Sequence, residues 1–358
     1  MTVEVHTEVL SIGFRDPFRI ARHADSGVAT TVIVELRSAA APGMVGLGEG
    51  FPDAYYGETP DTMAAVMPLL VAAVGDPELT RDGLAAASAR MDEAIRGHGA
   101  AKCALDIALH DLAATAEGVP LYRFLGLSAD IPPTDFTVGL DEPAIVAERA
   151  RRAAQFPALK VKVGGPSDLA TLRAVRDVFS GPIRVDANTA WTPADAEALL
   201  PALVELGVEL IEQPFPARRL DQLRWLQERS PLPIVADESA VAIEDLEGLL
   251  GVVAGVNVKL AKCGGVGAAH RMLARARELG FRTFLGCMEE TSVGIGASAA
   301  VASLADWVDL DGNLLLADDP FGGLELGDDC RWRLPERPGI GVVRRTRSGA
   351  ATTAEGRP

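Results

Sequence analysis

Five charged residues recur at an even interval through the second half of the chain, and each closes a short apolar run. They are Lys162 in ALKVKVG, Asp186 in IRVDAN, Glu212 in ELIEQP, Asp237 in PIVADES and Lys259 in VNVKLAK. One strand, one crossover helix and two short loops take about the length that separates them, so the rhythm is that of repeated β/α units. Three more apolar runs, TDFTVGL, RTFLGCM and DWVDLDG, bring the strand cores to eight. Eight is the number with which such units close into a (β/α)8-type, TIM-like barrel, and the fold class is accordingly α/β. Every one of the five charges then lies at the carboxyl end of a parallel strand, on the face where barrels of this kind do their chemistry.

A chain of 358 residues is longer than a barrel of about 250 residues needs. The surplus lies at the front. Residues 1 to about 37 alternate in period two, a turn at Ser38 to Gly43 follows, and MVGLGEG reads as a further strand. From Thr59 to about Leu125 the pattern is helical, with Ala, Leu and Ile at i, i+3, i+4 spacing in AAKCALDIALHDLAATAEG. Strands followed by helices make a separate α+β domain, assigned to residues 1–125, and the barrel domain to 126–320. The composition of residues 344–358, RRTRSGAATTAEGRP, is that of a disordered tail.

A composition of 48% hydrophobic and 23% charged residues is that of a soluble globular protein. A formal charge of −16 speaks against nucleic-acid or anionic-membrane partners, which select Lys/Arg patches. No basic stretch followed by an apolar core opens the chain, and the apolar stretch around Met63 to Val74 is interrupted by Pro68 and too short to span a bilayer. Cys103, Cys263, Cys287 and Cys330 lie far apart, as reduced thiols of a cytoplasmic protein would. The oligomeric state is open, and a homo-oligomer is compatible with all of this. None of the five histidines falls in the strand-end motifs, so proton transfer is left to lysine or carboxyl groups.

Asp186, Glu212 and Asp237, from consecutive strand ends, suit a hard cation such as Mg2+, which keeps positions open for substrate oxygens. Each alone could be a loop carboxylate or a helix cap; three in phase favour the metal. Asn188, two residues after Asp186, could steady a ligand by a hydrogen bond or simply occupy a turn. Lys160 and Lys162 alternate with Val161 and Val163, so both ammonium groups point into the barrel mouth. Beside a metal, Lys160 would depress the proton affinity of Lys162. Lys162 closes the second strand core and Lys259 the sixth, which places them on opposite sides of a ring of eight; Lys262 reads as structural. Two such lysines can take a weakly acidic α-proton from one face of a metal-bound carboxylate and return it to the other.

The set KVK, DAN, EQP, ADES, NVKLAKCGG and GCMEETS resembles the muconate-lactonizing-enzyme branch of the enolase superfamily over nearly the whole chain. In that likeness DPFRIAR and GEGFPDAYYGET belong to a capping domain whose loops close over the barrel, and residues 321–343 return to it. DLDG, at Asp309 to Gly312, resembles the eighth-strand DxD of dipeptide epimerases related to L-Ala-D/L-Glu epimerase. The resemblance implies that Lys162 and Lys259 are the acid/base pair with Lys160 beside them. It further implies that Asp186, Glu212 and Asp237 bind Mg2+, that Asp309 and Asp311 hold a dipeptide's ammonium, and that Thr137 and Met288 lie beside the substrate. Read from the residues alone, period two would set Asp309 and Asp311 on one strand face as two unneutralised carboxylates in want of a cation, or else as helix caps.

The L-Ala-D/L-Glu type places an arginine in the capping loop, where this chain has Asp25 in HADSG. The expectation is therefore a dipeptide whose second residue is not Glu, with Arg22 close enough to blur the inference. The alternatives on the same scaffold are an N-acylamino-acid racemase, an o-succinylbenzoate synthase and a muconate cycloisomerase. From another class comes a Schiff-base aldolase using Lys162 or Lys259 covalently. GIGASA and the GGVG after Lys262 are read as a close-packed barrel helix and a tight turn.

Overall fold

The computed structural model describes residues 3–345, apart from the side chains of residues 23–26. The chain opens with an antiparallel sheet of β1 (Glu4–Ile20), β2 (His23–Arg37) and β3 (Gly46–Gly50). Helices α1 (Pro60–Val74), α2 (Arg81–Ala94), α3 (Gly99–Glu117) and the single turn α4 (Leu121–Phe124) follow. Strand β3 and helix α3 meet almost backbone to backbone. The sequence GLGEG puts Gly46, Gly48 and Gly50 on one face, and a Cβ on them would stand 2.0, 1.9 and 2.1 Å from the carbonyl oxygens of Ala108, Ala104 and Ala100. Alternate glycines on the strand thus match alanines at i, i+4 on the helix. No side chain fits on that face of the strand.

The barrel strands are β4 (Phe136–Val138), β5 (Leu159–Lys162), β6 (Ile183–Asp186), β7 (Val208–Glu212), β8 (Ile234–Ala236), β9 (Gly255–Val258), β10 (Arg282–Gly286) and β11 (Trp307–Asp309). They pair in that order, all parallel, and the ring closes where Thr134 bridges Val308 and Asp135 N–H donates to Val308 O at 3.0 Å. The outer helices are α5 (Pro143–Arg152), α6 (Asp168–Arg176), α7 (Pro193–Glu205), α8 (Leu220–Gln227), α9 (Leu260–Cys263), α10 (Val266–Glu278), α11 (Ser292–Ala299) and α12 (Gly312–Leu315). After β8 the expected helix is replaced by two 3₁₀ turns, Ile243–Asp245 and Glu247–Leu249. Gly248 and Gly251, the latter at φ +68°, break that segment up.

Because successive strand residues face opposite ways, each strand contributes two inward side chains, i and i+2. The lower layer is Asp135, Lys160, Arg184, Leu210, Val235, Asn257, Phe284 and Trp307; Leu210, Val235, Phe284 and Trp307 pack there as a cluster separate from the main core. Two residues further along, at the mouth, stand Thr137, Lys162, Asp186, Glu212, Asp237, Lys259, Gly286 and Asp309. The outward valines and isoleucines join the core beneath the helices.

Buried carboxylates stitch the two parts together. Asp106 of α3 accepts from Gly267 N–H at 3.1 Å and fills the turn at Gly265, where a Cβ would lie 2.4 Å from its Oδ2. Of the GGVG segment, Gly267 N–H is thus the amide that meets this carboxylate. Glu49 of β3 accepts from Thr31 Oγ1 (2.8 Å), Thr291 N–H (2.9 Å) and Gly294 N–H (2.8 Å), capping α11. Four two-residue strands finish the described chain: β12 (Phe321–Gly322), β13 (Glu325–Leu326), β14 (Trp332–Arg333) and β15 (Val343–Arg344). Ile340 N–H reaches Asp111 of α3 at 2.7 Å. Since β15 pairs with β12, an unstructured tail cannot start at residue 344; of the segment 344–358, residues 346–358 lie outside those described. Among the described residues no helix is long and apolar enough to cross a membrane, and the cysteines are unpaired.

Gly48→Ala is expected to lower the unfolding free energy by about 1–3 kcal/mol, with Gly248→Ala, where a Cβ meets nothing within 4 Å, close to neutral. Urea unfolding of the two variants measures the difference.

Candidate active site

The carboxyl ends of β6, β7 and β8 bring Asp186, Glu212 and Asp237 together, with one oxygen from each within 4.8 Å of the others. All three are buried. Concentrating acids out of water is costly unless cations answer them, and the site answers with lysines. Lys162 Nζ lies 2.7 Å from Asp186 Oδ2 and Lys259 Nζ 2.9 Å from Asp237 Oδ2. Strands β5 and β9 are second and sixth in the ring, so the two amines approach the triad from opposite sides.

Lys160 sits one layer lower than Lys162 and reaches upward. Its Nζ is 2.9 Å from Glu212 Oε2, 2.9 Å from Asp309 Oδ2 and 3.3 Å from Asp186 Oδ2. Burial opposes its charge, but Asp309, Glu212 and Asp186 outweigh burial and hold it well above the ordinary lysine range. Its charge is therefore engaged by three carboxylates. Lys262 is structural: its Nζ donates to Asp237 Oδ1 (2.6 Å) and to the carbonyls of Asp237 (2.6 Å), Asn257 (2.8 Å) and Ala240 (2.9 Å).

The same groups set the proton affinities. For Lys259 burial again works against the charge, yet Asp237 raises it above the usual range. Asp237 is held well below the carboxylate range, where Lys259, Lys262 and Lys160 overcome desolvation. Asp186 is lowered against desolvation by Lys162 and Lys160. Glu212, between the two aspartates, is pushed up to about 7 by burial and then by Asp186. The central acid of the triad thus carries repulsion that the lysines leave uncancelled. Three buried carboxylate oxygens brought this close together are the donor set a hard divalent ion takes.

Three features of the supporting geometry escape the sequence reading. Asn257, two residues before Lys259 and on the same strand face, donates to Glu212 Oε1 at 2.8 Å. Gln213, at φ +34°, accepts from Asp237 N–H at 2.9 Å. Arg22, in the β1–β2 hairpin, hydrogen-bonds Glu238, the residue after Asp237, and stacks over Tyr55 with its guanidinium 4.2 Å from the ring centroid. Period two would have flagged Asn257; the others depend on loop folding. Asn188 does contact Asp186, but through its backbone N–H (2.9 Å), while its side chain lies 3.4 Å from Glu238.

The DLDG motif differs from the simple period-two picture. Strand β11 ends at Asp309, and Asp311 lies beyond it at the head of α12. Nor are both acids unneutralised, since Lys160 pairs with Asp309. Thr137 ties them together, its hydroxyl 3.1 Å from Asp309 Oδ1 and its N–H 2.5 Å from Asp311 Oδ2. Lys160 pulls Asp309 down against desolvation, whereas burial and then Asp309 push Asp311 well above the carboxylate range. Gly312 is required here because a Cβ would sit 2.3 Å from Met288 O. A cavity of about 260 Å³ above the mouth is lined by Thr137, Lys160, Lys162, Asn188, Lys259, Met288, Asp309 and Asp311, with residues of the β1–β2 hairpin and the loop after β3. The Asp25 side chain lies outside those described.

Two family models match the chain. Residues 2–126 match the mandelate racemase / muconate lactonizing enzyme N-terminal domain, and residues 144–347 the enolase C-terminal domain-like model. The chain belongs to this family. The L-Ala-D/L-Glu epimerase of Bacteroides thetaiotaomicron is 38% identical over 84% of this chain and 79% of its own. The hydrophobic dipeptide epimerase of Roseobacter litoralis is 38% identical over 96% and 99%. The crystal structure of the Enterococcus faecalis V583 dipeptide epimerase, complexed with Mg and L-Leu-L-Tyr, superposes with a TM-score of 0.88 at 33% identity, covering 96% of this chain and 99% of that one. Family membership accounts for the barrel and its N-terminal domain as one inherited unit.

Lys262→Met should cost about 3–5 kcal/mol of stability, because it removes one of the two cations on the buried Asp237 carboxylate and leaves the carbonyls of Asp237, Ala240 and Asn257 without their donor. The urea midpoint reads this directly, and a loss under 1 kcal/mol would contradict the structural role.

Proposed function

We propose that this protein is a Mg2+-dependent dipeptide epimerase that inverts the α-carbon of the C-terminal residue by moving one proton between Lys162 and Lys259. The observation that carries the reading is the placement of two amines on opposite sides of a buried acidic triad, with Asp309 and Asp311 lining the same cavity. Asp186, Glu212 and Asp237 would hold the ion, as the donor set and the raised Glu212 favour. When bound, Mg2+ supplies positive charge that offsets the negative charge developing on a substrate carboxylate. The α-proton leaves to whichever lysine faces it as the free amine, and the opposite lysine, as the ammonium, delivers a proton to the other face of the enolate. Only the lysine positions distinguish the two directions, so the same residues serve both configurations.

At the far end of the substrate, Asp309 and Asp311 receive the dipeptide's ammonium. Lys160 answers Asp309, but Asp311 is left as the acid whose charge burial and its neighbour resist, and a cation there relieves it. A neutral N-acyl group gives no such relief, which favours the dipeptide over the N-acylamino-acid, succinylbenzoate and muconate alternatives. A Schiff-base aldolase binds its substrate covalently through one lysine and has no use for a metal, so the buried acidic triad between the two amines disfavours it.

Incubation with dipeptides and Mg2+ in D2O should incorporate one deuteron with inversion, and chelation should abolish it until Mg2+ is restored. Lys162→Ala and Lys259→Ala should each lower epimerisation by about 10²–10⁴-fold, while each retains exchange from only one configuration. Exchange from both configurations in both variants would refute the two-lysine scheme. Asp311→Asn, which keeps the acceptor for Thr137, should raise KM by about 10–100-fold with little change in kcat, since it removes one charge-assisted hydrogen bond.

A further inference from the structure

We infer that the substrates are dipeptides with a large apolar first residue, whose side chain is read by Phe14, Phe18 and Leu315; the inference rests on the epimerase reading above. The sequence FRDPFRI alternates, with Phe14, Asp16, Phe18 and Ile20 more buried than Arg15, Pro17 and Arg19. In the hairpin, Gly13 pairs with Val28 and Phe18 with Ser26, so residues 14–17 stand opposite Gly27 alone and bulge out. Bulges re-aim side chains beside active sites, and this one aims two phenyl rings, 5.5 Å apart, into the cavity.

The bulge is clamped over the ammonium end. Phe14 bridges Leu316, Ala317 N–H donates to Gly13 O at 2.7 Å, and Leu140 N–H donates to Arg19 O at 2.9 Å. Those bonds hold it to the loops after β11 and β4, the strands that carry Asp309 and Thr137. Phe18 packs over Gly139, whose Cβ would be 3.1 Å from the ring. Leu315 closes the wall three residues after Gly312. A first residue whose ammonium lies at Asp309 and Asp311 therefore projects its side chain among apolar groups held in place before it arrives. The cavity's cations are engaged: three lysines with the triad and Asp309, and Arg22 with Glu238. Among the described residues that line the cavity, none is left to receive an acidic side chain. Glu289 also lines the cavity, so a cationic first residue is the rival outcome.

The test compares kcat/KM in Mg2+ for L-Leu-L-Ala, L-Phe-L-Ala, L-Ala-L-Ala, L-Lys-L-Ala and L-Glu-L-Ala. The leucine or phenylalanine substrate should exceed L-Ala-L-Ala by about 10–200-fold, the range a hydrophobic pocket supplies, and the charged ones by more. Phe14→Ala and Leu315→Ala, both half-buried positions, should erase most of that advantage, read as the ratio of kcat/KM for L-Leu-L-Ala to that for L-Ala-L-Ala. Far-ultraviolet circular dichroism reports that each variant is folded, and the ratio is read in whichever variant folds. Preference for L-Lys-L-Ala or L-Ala-L-Ala, or an advantage untouched in a folded variant, overturns the inference alone. No exchange with any dipeptide overturns the epimerase reading and this inference with it.

Discussion

Everything at the barrel mouth follows from burying Asp186, Glu212 and Asp237 against one another. Carboxylates out of water repel across short distances and lose their hydration, so the surrounding residues are chosen to compensate. Lys162 and Lys259 flank the triad, Lys160 rises from beneath, and Lys262 braces Asp237 from behind. The lysines differ in what else they touch. Lys262 is surrounded by carbonyls and can only be structural, Lys160 is shared among three acids, and Lys162 and Lys259 each have one acid and face the cavity. That difference in surroundings, not in residue type, separates the two cavity-facing amines from the supporting ones.

The N-terminal domain completes the site. Its sheet and α3 are locked by glycine–alanine contact, and α3 docks on the barrel through Asp106, which fills the turn just beyond Lys259 and Lys262. Glu49 ties β3 to α11 in the same way. Polar docking suits two surfaces that must agree in detail, because each buried carboxylate tolerates few positions for its donors. Above this base the β1–β2 hairpin lies over the mouth, held by Arg22 to Glu238 and by its bulge to the loops after β4 and β11.

Charge and shape divide the cavity. At one end the triad and its lysines suit a carboxylate and the carbon beside it; at the other Asp309 and Asp311 suit an ammonium. Phenyl and leucine side chains lie over that second end. A molecule with a carboxylate, an ammonium and apolar bulk between them satisfies all three, which is why the geometry favours a small zwitterionic peptide.

Strand count, barrel closure and the three acids with their lysines were legible in the sequence, since period two and a β/α repeat leave a charge at i+2 of each strand only where the mouth is. The same periodicity places Asn257 beside Lys259. It failed where the chain leaves regular structure. Asp311 lies past its strand, Asn188 bonds through its backbone, no α-helix follows β8, and β15 pairs where a tail was expected. Those outcomes depend on which distant groups arrive: Thr137 from β4 at Asp311, Glu238 at Asn188, Phe321–Gly322 at Val343–Arg344. Local patterning determined which residues face inward, because alternation is a property of the strand itself. Only the tertiary structure decided that Lys160 is spent on three acids, that Arg22 is taken by Glu238 and that Phe14 and Phe18 share a cavity with Asp309 and Asp311, because each requires partners from other strands and loops.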